Sequence, residues 1–321
     1  MSGLLNLLRQ GSRLFDYSRM SETPAVPQRA LPRADAPARG IPDYIARIGE
    51  PQNLRRMNEY VERGLEAGAG DWYNNMPLRD AFVSELGDAD GQAAFDRFID
   101  MVGATSSQSR TPMNARNASY YYMRDRQGNP LTTLSDPPEA PYGHYTQRNH
   151  MLQSGNIVEG RGLSPTQNPK IASFAENLRG NYEPLTIDIH NSRAIGLTNA
   201  SGKPMDTPNP AHYSFLEDLQ AQQARDVFGI EPARYQSAMW VGAGDETGLA
   251  SPPDPFLAVL ESRVMHTAEQ TGIDPQTVLR RFIRGEMPLL SVTGGGLLSM
   301  AAGQQDPNAE LEAYLSGVNS Q

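Results

Sequence analysis

The 321-residue sequence contains no cysteine, so it can form no disulfide, no thiolate zinc site and no iron–sulfur cluster of the usual cysteine-ligated kind. Long apolar runs are missing as well. No window approaches the roughly 20 apolar residues needed to span a bilayer, and the opening stretch, Met1 to Met20, carries Arg9, Arg13, Asp16 and Arg19 where an export signal would be apolar. Neither export nor membrane insertion is expected, which fits a protein of the cytoplasm. Lysine is nearly absent: Lys170 and Lys203 are the only two, and every other fixed cation is Arg. An excess of positive charge is absent too. The formal net charge of −9 argues against nucleic-acid binding over the whole surface, because phosphate contacts need Lys or Arg gathered on one face. Any DNA site must be local. Apolar residues make up 38% of the chain, below the roughly 45% of a typical globular domain, which points to segments outside the packed core.

Three regions follow along the chain. Residues 1–41 form an N-terminal arm: Leu4, Leu5, Leu7, Leu8, Leu14 and Phe15 are spaced for a short amphipathic helix, and Ser21 to Ile41 is a Pro/Ala/Arg-rich linker that cannot hold a regular helix. A helical body spans 42–290. Phe95, Phe98, Ile99 and Val102 share one helix face, with a stop expected at Gly103. Asn168 and Pro169 read as an N-cap and first helical position, Ile171, Phe174 and Leu178 as one face, and Gly180 as the end. Further helices are expected from about Ala211 to Gly229, Pro232 to Gly242, Pro255 to Gly272 and Pro275 to Gly285. Arg124 to Leu163 lacks a sustained period and is expected to be a long loop with short helical turns. Residues 291–321 read as a flexible tail. Alternation of period two is scarce, so the fold class is all-α.

The segment Pro169-Lys170-Ile171-Ala172, then a helix, then Thr186-Ile187-Asp188-Ile189-His190-Asn191-Ser192-Arg193 resembles the signature of endonuclease III-like DNA glycosylases, L-P-G-V-G-x-K-x-A followed by V-D-x-H-x-x-R. Ser164 to Lys170 falls on the hairpin of that pattern, and Asp188 follows Lys170 by the family's eighteen positions. Upstream, Phe95 to Asn114 is similar to the family's apolar helix leading into a Ser/Gln-rich turn. Downstream, Phe215 to Val227 and Gln236 to Gly242 are similar to its two closing helices. The resemblance covers roughly Phe95 to Gly242. It implies a helix-hairpin-helix glycosylase-like body, DNA as partner and no cofactor. The chain is also similar to a domain family of tailed-phage genomes, which implies a phage or prophage origin, virion location as an alternative to the cytoplasm, and virion proteins as partners of the arm.

The chemistry gives these residue types a reason. Breaking an N-glycosidic bond builds positive, oxocarbenium-like charge on the sugar, which a nearby carboxylate stabilises. Asp188 is the candidate, and it also reads as an N-cap for the helix that follows; the two roles are compatible. A lysine amine can attack C1′ and form a Schiff base, from which strand cleavage follows by elimination. Free lysine is almost wholly protonated at neutral pH, so the amine must sit where an ammonium is disfavoured, as in the first turn of a helix. Lys170 is the candidate; the alternative is a solvated side chain.

The DNA-contacting candidates are Gln108, Asn114, Asn168, His190 and Arg193. Gln108 and Asn114 serve equally as turn and cap residues. His190 reads as a hydrogen-bonding residue behind Asp188, and Arg193 as an ion-pair partner or a phosphate contact. Trp240 reads as core. No H-E-x-x-H occurs, and no metal is expected. Thr166 and Asn168 stand where the family hairpin has glycine, which leaves a second function class open: a non-enzymatic, virion-associated or DNA-binding protein on a glycosylase-like scaffold.

Overall fold

The computed structural model describes residues 14–15, 40–107, 109–132, 147–247 and 254–290. Apart from Leu14, Phe15, Gly40 and Ile41, the expected arm and linker lie outside these residues, as does the tail. Among the described residues there is no strand, only an isolated antiparallel bridge between Thr198 and Pro204, and the protein is all-α.

In chain order the helices are α1 (Asp43–Ala46), α2 (Pro51–Glu66), α3 (Met76–Leu86), α4 (Asp88–Thr105), α5 (Thr111–Arg126) and α6 (Arg148–Val158). There follow α7 (Pro169–Arg179), α8 (Ile189–Ala194), α9 (Pro210–Gln223), α10 (Pro232–Ala243), α11 (Phe256–Thr271) and α12 (Pro275–Arg284). Proline occupies the first turn of α2, α5, α7, α10 and α12, where its missing N–H costs nothing. Left-handed glycines end α7 and α12, Gly180 at φ 96° and Gly285 at φ 74°.

Two expectations are corrected. Gly103 does not stop its helix: α4 runs on to Thr105, because Gly103 is a buried residue outside the left-handed region. The stretch from Arg124 to Leu163 is not all loop, since it contains the eleven residues of α6. The buried side of α6 is His150, Met151, Ser154, Gly155 and Ile157, a mixture too polar and small to show an apolar period.

The sequence places a single body over 42–290; the described part of that range divides into two compact units, each assembled from two stretches of chain. The first takes residues 40–76 and 164–255. Its core gathers Ile45, Met57, Val61, Leu185, Ile187, Leu216, Tyr235 and Met239, and α2 packs closely along α10. Two glycines set that approach. A Cβ on Gly64 would lie 1.9 Å from the carbonyl oxygen of Ala238, and one on Gly242 would lie 1.9 Å from that of Tyr60.

The second unit takes residues 77–163 and 256–290, with Phe15 buried in it. Its centre is aromatic: Phe98 meets Phe282 edge-on at 5.0 Å and stacks on Phe82 at 6.0 Å, and Tyr122 packs on all three. Buried Tyr122 satisfies its hydroxyl by donating to the Ile283 carbonyl at 2.7 Å.

Candidate active site

Lys170 is the second residue of α7, which begins where Asn168 and Pro169 predict. The turn before it is closed by the Asn168 amide donating to the Ser164 carbonyl at 2.9 Å and the Gln167 amide donating to Ser164 Oγ at 3.2 Å. Asn168 sits at the N-cap with φ −135° and ψ 63°, and its side chain makes no capping bond. Left-handed glycines occur earlier, at Gly160 and Gly162. Half-buried Lys170 makes no hydrogen bond or ion pair among the described residues. Its place in the first turn puts it at the positive end of its own helix, with no ion pair among the described residues to offset it.

From Gly180 the chain runs without regular structure to Asp188, and most of this segment is buried. Buried backbone outside helices must find partners in side chains, and here it does. Asn177 Nδ2 donates to the carbonyls of Asn181 at 2.9 Å and Pro184 at 2.8 Å. The Leu185 amide donates to Glu217 Oε1 at 2.8 Å. Tyr213 Oη donates to the Leu185 carbonyl at 2.7 Å and accepts from the Ile187 amide at 2.9 Å. Gln236 Nε2 donates to the Thr186 carbonyl at 3.0 Å, and Thr186 Oγ1 donates to Asn177 Oδ1 at 2.8 Å. Residues from α7, α9 and α10 thus fix where the segment ends.

It ends on Asp188, the N-cap of α8, whose Oδ1 accepts from the Asn191 amide at 2.8 Å. The capping role is present, and Asp188 is half-buried. Its second carboxylate oxygen carries no hydrogen bond among the described residues. The carboxylate also acts on Tyr73, which donates to Gln236 Oε1 at 2.7 Å. Burial first, and then the negative charge of Asp188, hold the Tyr73 hydroxyl neutral well above the usual tyrosine range.

His190 differs from expectation. It makes no hydrogen bond among the described residues and instead stacks on Trp240, with ring centroids 5.7 Å apart and planes at 21°. Trp240 is core, as expected, meeting Trp72 edge-on at 5.4 Å; Trp72 in turn packs on Tyr73 and Phe174. An aromatic block therefore backs the start of α8. Arg193 donates to the Thr247 carbonyl and pairs with Asp206, both at 3.1 Å, and so ties α8 to the chain after α10 and to the segment before α9.

Lys170, Asn168, Asp188, His190 and Arg193 all belong to the first unit. Asn114 belongs to the second, where it is buried in α5 and its Oδ1 accepts from Thr105 Oγ1 at 2.7 Å. Gln108 lies outside the described residues. Tyr73, Asn177, Tyr213, Glu217 and Gln236, which orient the segment leading to Asp188, stand far apart in sequence, and no motif announces them. Comparison with family models, curated proteins and solved structures finds no match to the chain.

Proposed function

We propose that the protein is a DNA glycosylase with abasic-site lyase chemistry, removing a modified or mismatched base from DNA. The supporting observation is the pair of helix starts in the first unit: Lys170 in the first turn of α7 and Asp188 heading α8, the Lys170 side chain and one Asp188 carboxylate oxygen having no partner among the described residues. A base has to leave the stack to reach such groups. The Lys170 amine gives its electron pair to C1′ as the N-glycosidic bond breaks, and the base departs with the bonding pair and takes up a proton. Asp188 stabilises the cationic sugar during this displacement. Ring opening at the C1′–O4′ bond then leaves a protonated Schiff base, and loss of a C2′ proton expels the 3′-phosphate.

Borohydride, which reduces a Schiff base to a stable amine, tests the reading on DNA carrying an abasic site. Wild type is expected to give a trapped adduct that disappears in Lys170→Ala, and Asp188→Asn is expected to lose base release from damaged duplexes. A second reading is a non-enzymatic, virion-associated or DNA-binding scaffold. It is favoured by the turn before α7, where Asn168 is not left-handed and Pro169 offers no amide to a phosphate. No adduct and no base release from any damaged duplex would establish that reading instead.

A further inference from the structure

The chain has only two tryptophans, and the first unit brings them together. Trp240 on α10 meets Trp72 edge-on at 5.4 Å, and Trp72 packs on Tyr73 at 4.9 Å and Phe174 at 6.5 Å. Both indoles are buried, Trp72 at 4% and Trp240 at 6% exposure. Each nonetheless keeps its Nε1 shielded from solvent without a hydrogen-bond partner among the described residues. Tyr73, in the same block, shows the usual arrangement instead, its hydroxyl donating to Gln236.

A buried donor left unpaired costs the desolvation of its N–H with nothing to offset it. An aromatic core with no other task is better built from phenylalanine, as the second unit builds its own from Phe82, Phe98 and Phe282. An indole N–H donates and cannot accept, so what completes the block must present acceptors, and a block of ring faces takes a flat group. His190 marks the entry. It is half-buried, lies against Trp240 with planes at 21°, and makes no hydrogen bond among the described residues. A heteroaromatic ring therefore already sits on the indole, held by stacking alone. The block also borders both residues of the proposed chemistry: Phe174 stands one turn after Lys170 on α7, and His190 two residues after Asp188 on α8.

We infer that Trp72 and Trp240 form a recognition site for a base carrying ring carbonyls, which enters where His190 now lies and accepts through its carbonyl oxygens from the two indole N–H groups. This deepens the base-excision reading and rests on it only for the claim that the base arrives on DNA.

The test uses the full chain and free uracil. The comparison ligand is 2,4-diaminopyrimidine, a ring of the same size with amines in place of both carbonyls, kept neutral by an alkaline buffer. Because the two tryptophans are the site, their fluorescence reports binding directly. Uracil is expected to change the emission saturably, and diaminopyrimidine is not. Trp72→Phe and Trp240→Phe each keep a ring, remove one N–H and leave the other indole as reporter; each is expected to weaken uracil binding about tenfold, the worth of one hydrogen bond to a buried donor. His190→Ala removes the ring that the base displaces and is expected to bind uracil at least as tightly as wild type. Should a Phe variant fail to fold, the two ligands on wild type still decide. Equal responses to both ligands, or none to uracil, would overturn the site, as would weaker uracil binding in His190→Ala. Selective uracil binding without a trapped adduct or base release would remove the base-excision reading and leave the site. A trapped adduct from a protein that does not distinguish the two rings would do the reverse.

Discussion

Asp188 carries two roles that one pair of substitutions separates. Asparagine keeps a side-chain oxygen for the Asn191 amide and is as good an N-cap as aspartate, but it carries no charge to stabilise a sugar cation. Asp188→Asn is therefore expected to unfold within a few tenths of a kcal/mol of wild type while losing base release. Asp188→Ala removes the cap too and is expected to cost about 1 kcal/mol in denaturant unfolding. If Asn restores activity lost in Ala, Asp188 is a cap alone. The places of Lys170 and Asp188 at helix starts were legible because a first-turn proline and an aspartate cap are local patterns. The orientation of Asp188 was not, since it depends on Asn177, Tyr213, Glu217 and Gln236 meeting one buried segment.

A second residue-scale effect concerns His150, fully buried in the second unit, with its Nε2 at 3.1 Å from the Ser107 carbonyl. A carbonyl only accepts, so Nε2 holds the proton of the neutral ring. Burial outweighs that hydrogen bond and lowers the His150 pKa. The unfolded chain, with histidine near 6.5, then binds the proton more tightly than the folded one. Stability should be unaffected above that value and should fall as pH drops through it toward the lower folded value. Denaturant unfolding at a series of pH values between 7 and 5 checks this. His150→Gln, which can still donate to Ser107 but does not titrate, is expected to flatten the dependence; an unchanged slope would exclude His150 as its source.

At the scale of elements, the helices whose ends carry their own chemistry were readable: Pro169 to Gly180, Pro232 to Ala243 and Pro275 to Gly285 each open on proline, and the first and third close on a left-handed glycine. Helices α5 and α6 were not, for a packing reason. The second half of α5 is buried on nearly every side, Asn117 to Arg124 without a break, so no apolar stripe distinguishes a face. The α2–α10 approach was equally invisible, because a glycine that admits a neighbouring helix looks like any other glycine. Gly64→Ala and Gly242→Ala each drive a methyl onto a backbone carbonyl at 1.9 Å, which no side-chain motion relieves. Each is expected to cost about 3 kcal/mol or more, at or beyond the upper end of ordinary overpacking. Gly49→Ala, whose Cβ would meet the Leu219 side chain at an ordinary 3.6 Å, is the control expected to melt close to wild type. Parity among the three variants would mean the two helices separate at little cost.

For the whole molecule, chain order conceals the most. The chain leaves the first unit after Met76, returns to it at Ser164 and leaves again after Pro255, and nothing in composition marks those crossings. The consequence is a prediction about how the protein opens. Phe282 belongs to the last stretch, yet its ring meets Phe82, Phe98 and Tyr122 from the earlier stretch of the same unit. It is fully buried, so Phe282→Ala removes one of the main contacts that join the two stretches, at about 3–5 kcal/mol. A cost of that size is a large part of a domain's usual stability. The loss should be read first in amides of α4, α5 and α11, while those of α2, α7 and α10 keep their hydrogen-exchange protection. Protection lost evenly across both sets would instead show that the two units open as one, and that Phe282 supports the first unit as much as its own.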